Sequence, residues 1–240
     1  MTRCRALLAP LELDRTTYPA LAHEAAAYEP SAGDARPRRY PGYPRTALPR
    51  VRARVFGSLD RALTARRSER RVSRALPAPR ALARLLRFGH GALDGRGPAP
   101  SAGGLHAIEL YVVALADGWL PAGVHHYDRA GHHLSQVAGV GARWPQLVPS
   151  LRDVPHAPLV LVLAGDAARV EAKYGQRAAK LLLLEAGHVM QDLCLVASST
   201  GLSVVPCGAF LEGEIARELA LPSGDAVLYA AACGALTSTR

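Results

Sequence analysis

Lysine is almost missing from this sequence. Of its 29 basic residues only Lys173 and Lys180 are lysines, and asparagine does not occur at all. Arginine fills every other basic position, a pattern that points to base-composition bias and lowers the information carried by any single Arg or Ala. Aromatic residues make up only 5% of the 240 residues, and the arginines crowd before residue 90 without aromatics between them. With no nucleic-acid-binding motif in view, the formal charge of +9 does not read as a nucleic-acid surface. A basic surface equally suits acidic peptides, anionic cofactors or an acidic partner. The four cysteines, Cys4, Cys194, Cys207 and Cys233, form no CxxC pair, and the opening MTRCRALLAPLELDR holds an apolar run too short for export. Reduced thiols in the cytoplasm are therefore expected.

What is present is a chain 49% hydrophobic and long enough for one sizeable core. Its clearest element is an apolar helix over 178–197. The few polar groups there, Glu185, His188 and Asp192, fall at i, i+3 and i+7 on one narrow stripe. That many ionisable groups argue against a membrane span, and a surface helix would show a broad polar face. The spacing predicts a helix buried almost all round, in the centre of a core or across a dimer interface. Gly201 supplies the stop, Ser203–Val205 a short strand, and Pro206, Cys207, Gly208 and Ala209 a loop whose small side chains let backbone approach a flat ligand.

The two lysines matter because arginine stays charged, whereas a lysine ammonium is tuned by burial. Lys173 beside Tyr174 is thus a candidate acid/base pair; the alternative is a lysine capping a helix end. Earlier in the chain, Thr17–Tyr28 reads as a helix, and RRYPGYPRTALPR as extended chain, either an arm on the body or a linker. Residues 57–67 predict a helix, followed by RRSERR. Guanidiniums around a serine suit a phosphate, while a solvated arginine run is the alternative. A second helix is expected over 76–88. Pro100, Ser101 and Ala102 then lead into the strand LHAIELYVVAL, where small residues either host a ligand or make a turn. A hairpin follows in GVHHYDRAGHHLSQV; its histidine pairs suggest a metal site, but adjacent histidines in a strand point to opposite faces, which favours a polar hairpin. LVLVLAG reads as a central strand buried on both faces, Asp166 as the cap of the next helix, 212–219 as a short helix and AVLYAAAC as the last strand.

In order, RRSxR, PSAGGLHxxELYVV, VHHYD, KYGxR, LLEAGHxxQ, GLxxVPxGxF and a late VLY resemble the FMN-dependent nitroreductase superfamily. Within it, the sequence is most similar to SagB-type dehydrogenases, which oxidise thiazolines and oxazolines to azoles in ribosomally made peptides. The resemblance covers residues 57–235. It implies an α+β fold, a mixed sheet flanked by helices, with the long helix at a homodimer interface and two FMN sites built from both chains. It divides the chain into an N-terminal arm, 1–56, and an FMN-binding domain, 57–240. Carried over by motif, Arg66, Arg67, Ser68 and Arg70 hold the FMN phosphate and ribityl chain. Pro100, Ser101 and Ala102 reach the flavin of the partner subunit, and Pro206, Cys207, Gly208 and Ala209 lie against the ring. Lys173 and Tyr174 match the catalytic pair. Asp192 stands where relatives often carry Asn, and Ala209 where they often carry a second Gly.

Azole formation needs a base to take a Cα proton while a hydride leaves for the flavin. Tyr174 with its pKa lowered by Lys173, or Lys173 itself, would be that base, and a cyclodehydratase complex is an implied partner. Two rivals stand beside this expectation: an NAD(P)H-dependent nitro or quinone reductase on the same fold, and a non-catalytic scaffold in a peptide-modifying complex.

Overall fold

The computed structural model describes residues 38–53, 58–141 and 143–237; the helix expected over 17–28 lies outside them. The LVLVLAG run forms strand β5 (Leu159–Gly165), and every residue in it is buried, as an unbroken apolar strand requires. Around it lie β1 (Arg45–Ala47), β2 (Ile108–Ala114), β3 (Gly123–Asp128), β4 (His133–Ala138), β6 (Leu202–Cys207) and β7 (Ala226–Ala235). They make one sheet in the order β1-β4-β3-β2-β5-β7-β6.

All six pairings are antiparallel. The expected mixed sheet is corrected here for a topological reason. β5 and β6 do run the same way, as a strand–helix–strand connection predicts. β7 is inserted between them, antiparallel to both, so no parallel pair is hydrogen-bonded. β1 was not expected either. It comes from the Pro-rich segment 38–50 and covers the outer edge of β4.

Helices α1 (Leu59–Ala65), α2 (Pro79–Gly89), α3 (Trp144–Leu147), α4 (Ala167–Tyr174), α5 (Ala178–Ser198) and α6 (Glu212–Glu218) fill the two faces. On one face α2 and α5 bury Leu82, Leu86, Leu182, Val189 and Leu193 with Leu110, Leu161 and Leu163. On the other, Trp144, Leu147 and Ile215 pack on Tyr111, Val160 and Val162. Asp166 caps α4 by accepting from the Arg169 amide, and Gly201, at φ +72°, turns the chain after α5.

The stretch Ala167–Ser198 is apolar and long enough to cross a membrane by length and composition, yet one side of α5 lies in the core. That side is only part of the helix. Leu183 and Leu184 are 54% and 52% exposed, so α5 is not buried all round within the chain. The expected polar stripe is also divided: Glu185 is buried, Asp192 half-buried and His188 exposed.

Candidate functional site

Strand register decides which motifs meet. Ile108 at the start of β2 pairs with Gly165 at the end of β5, and Gly165 pairs with Ala226 at the start of β7. The end of β6 points the same way, with Cys207 opposite Ala230. The turn before β2, helix α4 after β5 and the loop after β6 therefore all leave one end of the sheet. These segments, with the last two residues of β6, carry Pro100–Ala102, Lys173–Tyr174 and Pro206–Ala209.

Lys173 and Tyr174 form the last turn of α4, which Gly175 ends at φ +50°. Both are half-buried, and the Lys173 Nζ lies 5.5 Å from the centre of the Tyr174 ring. They rest on the 3₁₀ turn Ala102–Gly104. Gly103 has φ +59°, and a Cβ there would come within 2.8 Å of the Tyr174 Oη and 3.0 Å of the Lys173 Nζ. A side chain at Gly103 would be strained by the backbone conformation and would push the two functional groups aside. The sequence singled out both segments; the contact between them joins residues some seventy positions apart.

Ser101 opens the turn. Its Oγ accepts from the His106 amide at 2.8 Å and donates to the Glu185 Oε2 at 2.7 Å. Beside them Arg169 Nη2 donates to Glu109 Oε1 at 2.9 Å and to Asp166 Oδ2 at 2.8 Å, while Nη1 donates to the His106 carbonyl. Glu109 also accepts from the His126 Nε2 at 2.8 Å. Burial alone would raise the Glu109 carboxyl. The His126 hydrogen bond and the charges of His126, Arg169 and Arg38 outweigh it and hold the group down to about 2. Arg38, in the segment leading to β1, ties this network to Asp225 and to the Tyr111 hydroxyl. The histidine pair of β3 is engaged in the same way. His126 serves Glu109, whereas the His125 Nε2 bonds the Pro121 carbonyl. No group of three metal-ligand side chains occurs among the described residues.

The arginine motif lies elsewhere. Arg66 follows α1, and Arg66, Arg67, Ser68 and Arg70 are all exposed. The segment is pinned where β6 begins, because the Ser203 Oγ donates to the Glu69 carbonyl at 2.7 Å. A cavity of about 220 Å³ beside it is lined by Arg67, Glu69, Ser198 and Ser203. Pro206 and Cys207 were expected in a loop but are the last residues of β6, paired with Ala231 and Ala230. Proline is tolerated because β6 is an edge strand. Gly208 and Ala209 continue as exposed loop, and a Cβ on Gly208 would meet nothing within 4 Å. Burial pushes the Cys207 thiol up, and the buried Cys194 and Cys233 reach about 11 and about 12, so none is poised as a thiolate.

Sequence reasoning gave no role to Glu185, Gly103, Glu109 or Arg169. Glu185 had a usable signal, a carboxylate within an apolar helix; the other three had none.

Residues 63–235 match the Nitroreductase family. A Methanocaldococcus jannaschii protein named "Putative nitroreductase" is 32% identical over 165 residues, covering 67% of this chain and 83% of its own. Among solved structures, a protein from Ralstonia eutropha named as a nitroreductase superposes with a TM-score of 0.71 at 24% identity, covering 85% of this chain and 95% of that one. A chain of the Escherichia coli microcin synthetase McbBCD complex, solved with truncated pro-MccB17 bound, gives 0.60 at 21% identity, covering 90% and 87%. By the family match and the archaeal relative, the chain belongs to the nitroreductase family.

Proposed function

We propose that this protein is an FMN-dependent reductase that takes hydride from NAD(P)H and passes it to nitro or quinone compounds. The observation that carries this is the archaeal relative, which matches most of both chains. The residues fit the cofactor by donor chemistry. Three exposed guanidiniums and a hydroxyl at the start of β6 suit a phosphate, and the bare backbone at Gly208 beyond its end suits a flat ring. The six residues of β6 separate these features by roughly 17 Å at about 3.3 Å per residue. Arg66, Arg67, Ser68 and Arg70 would hold the phosphate and ribityl end, and Pro206, Cys207, Gly208 and Ala209 would lie against the ring. Bound FMN would supply two-electron hydride chemistry. The protein's own part is proton handling and exclusion of water. Reduction of a quinone or nitro group consumes protons, and the Lys173–Tyr174 pair presents an ammonium and a phenol to deliver them.

A second reading, oxidation of azoline rings to azoles in a peptide, is favoured by one feature. Lys173 and Tyr174 are set against the turn that carries Pro100, Ser101 and Ala102, as a base that removes a Cα proton beside the flavin would need. The likeness to the microcin synthetase chain supports the same direction, with a cyclodehydratase as partner.

In both readings the working unit is a homodimer. Leu183 and Leu184 on α5 and Leu59 and Leu63 on α1 are all at least half exposed, an apolar face suited to a second copy. Pro100, Ser101 and Ala102 would then reach the other subunit's flavin.

An anaerobic visible spectrum before and after NADPH separates these readings. Fast bleaching of bound flavin is expected of the reductase. A flavin that NADPH leaves oxidised but an azoline peptide reduces would establish the dehydrogenase. A colourless protein that FMN cannot reconstitute would overturn both and leave the scaffold.

A further inference from the structure

We infer that Glu185 is a positioning residue: through Ser101 it sets the turn on which Lys173 and Tyr174 rest. The inference rests on reading Lys173–Tyr174 as the proton-handling pair, which both proposed activities share. Glu185 is buried at 4% exposure on the core face of α5, among Ala186, Val189 and Leu182. An apolar residue would pack there at no desolvation cost, so a carboxylate needs a partner to be tolerated. That partner is Ser101, 84 residues earlier in the chain.

The hydrogen bonds run in one direction. The His106 amide donates to the Ser101 Oγ, whose single proton goes to the Glu185 carboxylate. Both ends of the Ser101–His106 segment are thereby tied to a helix that cannot move without disturbing the core. Between those ends sit Gly103 and Gly104, at φ +59° and +69°, two residues that give the turn no stiffness of their own. Gly103 is the one that touches Lys173 and Tyr174. The glycine turn, closed by the Gly104 amide on the Ser101 carbonyl and steadied at His106 by Arg169, is thus anchored at its base through Ser101 to a buried acid.

The surroundings of Glu185 agree. Burial pushes its carboxyl up, and this is opposed by the Ser101 hydroxyl, the Ile108 amide and the charges of Arg129 and Arg169. With its only proton committed, Ser101 offers any ligand above the turn an acceptor and no donor. Replacing Glu185 by leucine would free the hydroxyl and release the turn. Glutamine keeps an acceptor oxygen at the same reach and should hold it.

Lys173 and Lys180 are the only lysines, so each variant carries its own control. The experiment is acylation of the purified full chain with an amine-reactive ester, followed by peptide mass spectrometry of both lysines. In E185L and in S101A the Lys173-to-Lys180 labelling ratio is expected to rise about fivefold, the factor one net hydrogen bond is worth. E185Q should stay near the wild-type ratio. An unchanged ratio in folded E185L and S101A overturns the inference, as does an E185Q ratio matching that of E185L. If E185L does not fold, S101A decides, because Ser101 lies outside α5. No flavin or substrate enters this measurement. A shifted ratio in a protein that binds no FMN would sink the flavin reading and leave the positioning role standing.

Discussion

Replacing Arg169 by methionine should be among the most damaging single changes in this chain. Arg169 and Glu109 are 6% and 3% exposed and meet at 2.9 Å; the 2.8 Å contact of Glu109 with His126 is an ion pair only when that ring is protonated. Methionine fills much of the same volume but leaves the carboxylate buried without its arginine. Breaking a buried pair in this way costs about 3–5 kcal/mol. The His126 hydrogen bond and the charges of His126, Arg169 and Arg38 together hold Glu109 down to about 2 against an ordinary 4.5, worth roughly 3 kcal/mol in all at about 1.4 kcal/mol per pH unit, of which Arg169 supplies a part. Because the folded value is the lower one, this stability is fully present above about 4.5 and is lost as pH falls towards 2. R169M should therefore lower the melting temperature by about 10 °C at pH 7. The gap to wild type should narrow as the solution is acidified through the carboxylate range, because the orphaned Glu109 then takes a proton. Urea unfolding at pH 7 and pH 4 measures both effects. The double variant E109Q/R169M should recover part of the loss. A cost below about 1 kcal/mol, or no recovery in the double variant, would refute the assignment of Arg169 as a counter-charge that Glu109 needs.

Four further outcomes are expected. K173A and Y174F should keep bound flavin by absorbance while turnover falls by about 10² to 10⁴; full turnover in both would remove the pair from the chemistry. G103A and G104A both place alanine at positive φ, costing about 1 kcal/mol each. Only G103A meets Tyr174 and Lys173, so steady-state kinetics should show an activity loss in G103A that thermal stability does not explain. A double R66A/R67A change should weaken FMN by about tenfold or more and riboflavin far less, read by fluorescence quenching, because the lost bonds are charge-assisted contacts to phosphate. L183E with L184E should yield monomers in sedimentation velocity, since the exposed face of α5 would then carry charge at its centre.

Local signals were strong where one segment settles its own fate. LVLVLAG read as a doubly buried strand, Asp166 as the start of a helix and Gly201 as the end of α5, and each is so. β1 was illegible because Arg45–Ala47 has no strand pattern; its pairing is supplied by β4, some ninety residues later. The absence of a parallel pair was hidden for the same reason, since the intervening β7 is the last strand in sequence. Composition placed α5 in an apolar setting but could not show that Leu183 and Leu184 face outward within one chain. At the candidate site, Lys173 stood out against a background of arginine. Its neighbour Gly103 looked like any glycine in a small-residue run, and its importance comes from a conformation and a contact that only the fold creates.

The place of β7 governs the order in which this protein can assemble. Among the described residues β6 pairs only with β7, and β7 also closes the outer side of β5. While the chain is being synthesised, β6 emerges and waits without a neighbour, its Pro206–Cys207 end unsupported, until residues 226–235 follow. The arginine segment waits as well, because Val72 bridges to Leu236 and the Ser73 amide donates to the Ala235 carbonyl. Long-range pairing of this kind folds slowly and leaves edges open in the interim. A ribosome stalled short of Ala226 would therefore carry six of the seven described strands with neither end of the proposed flavin cradle in place.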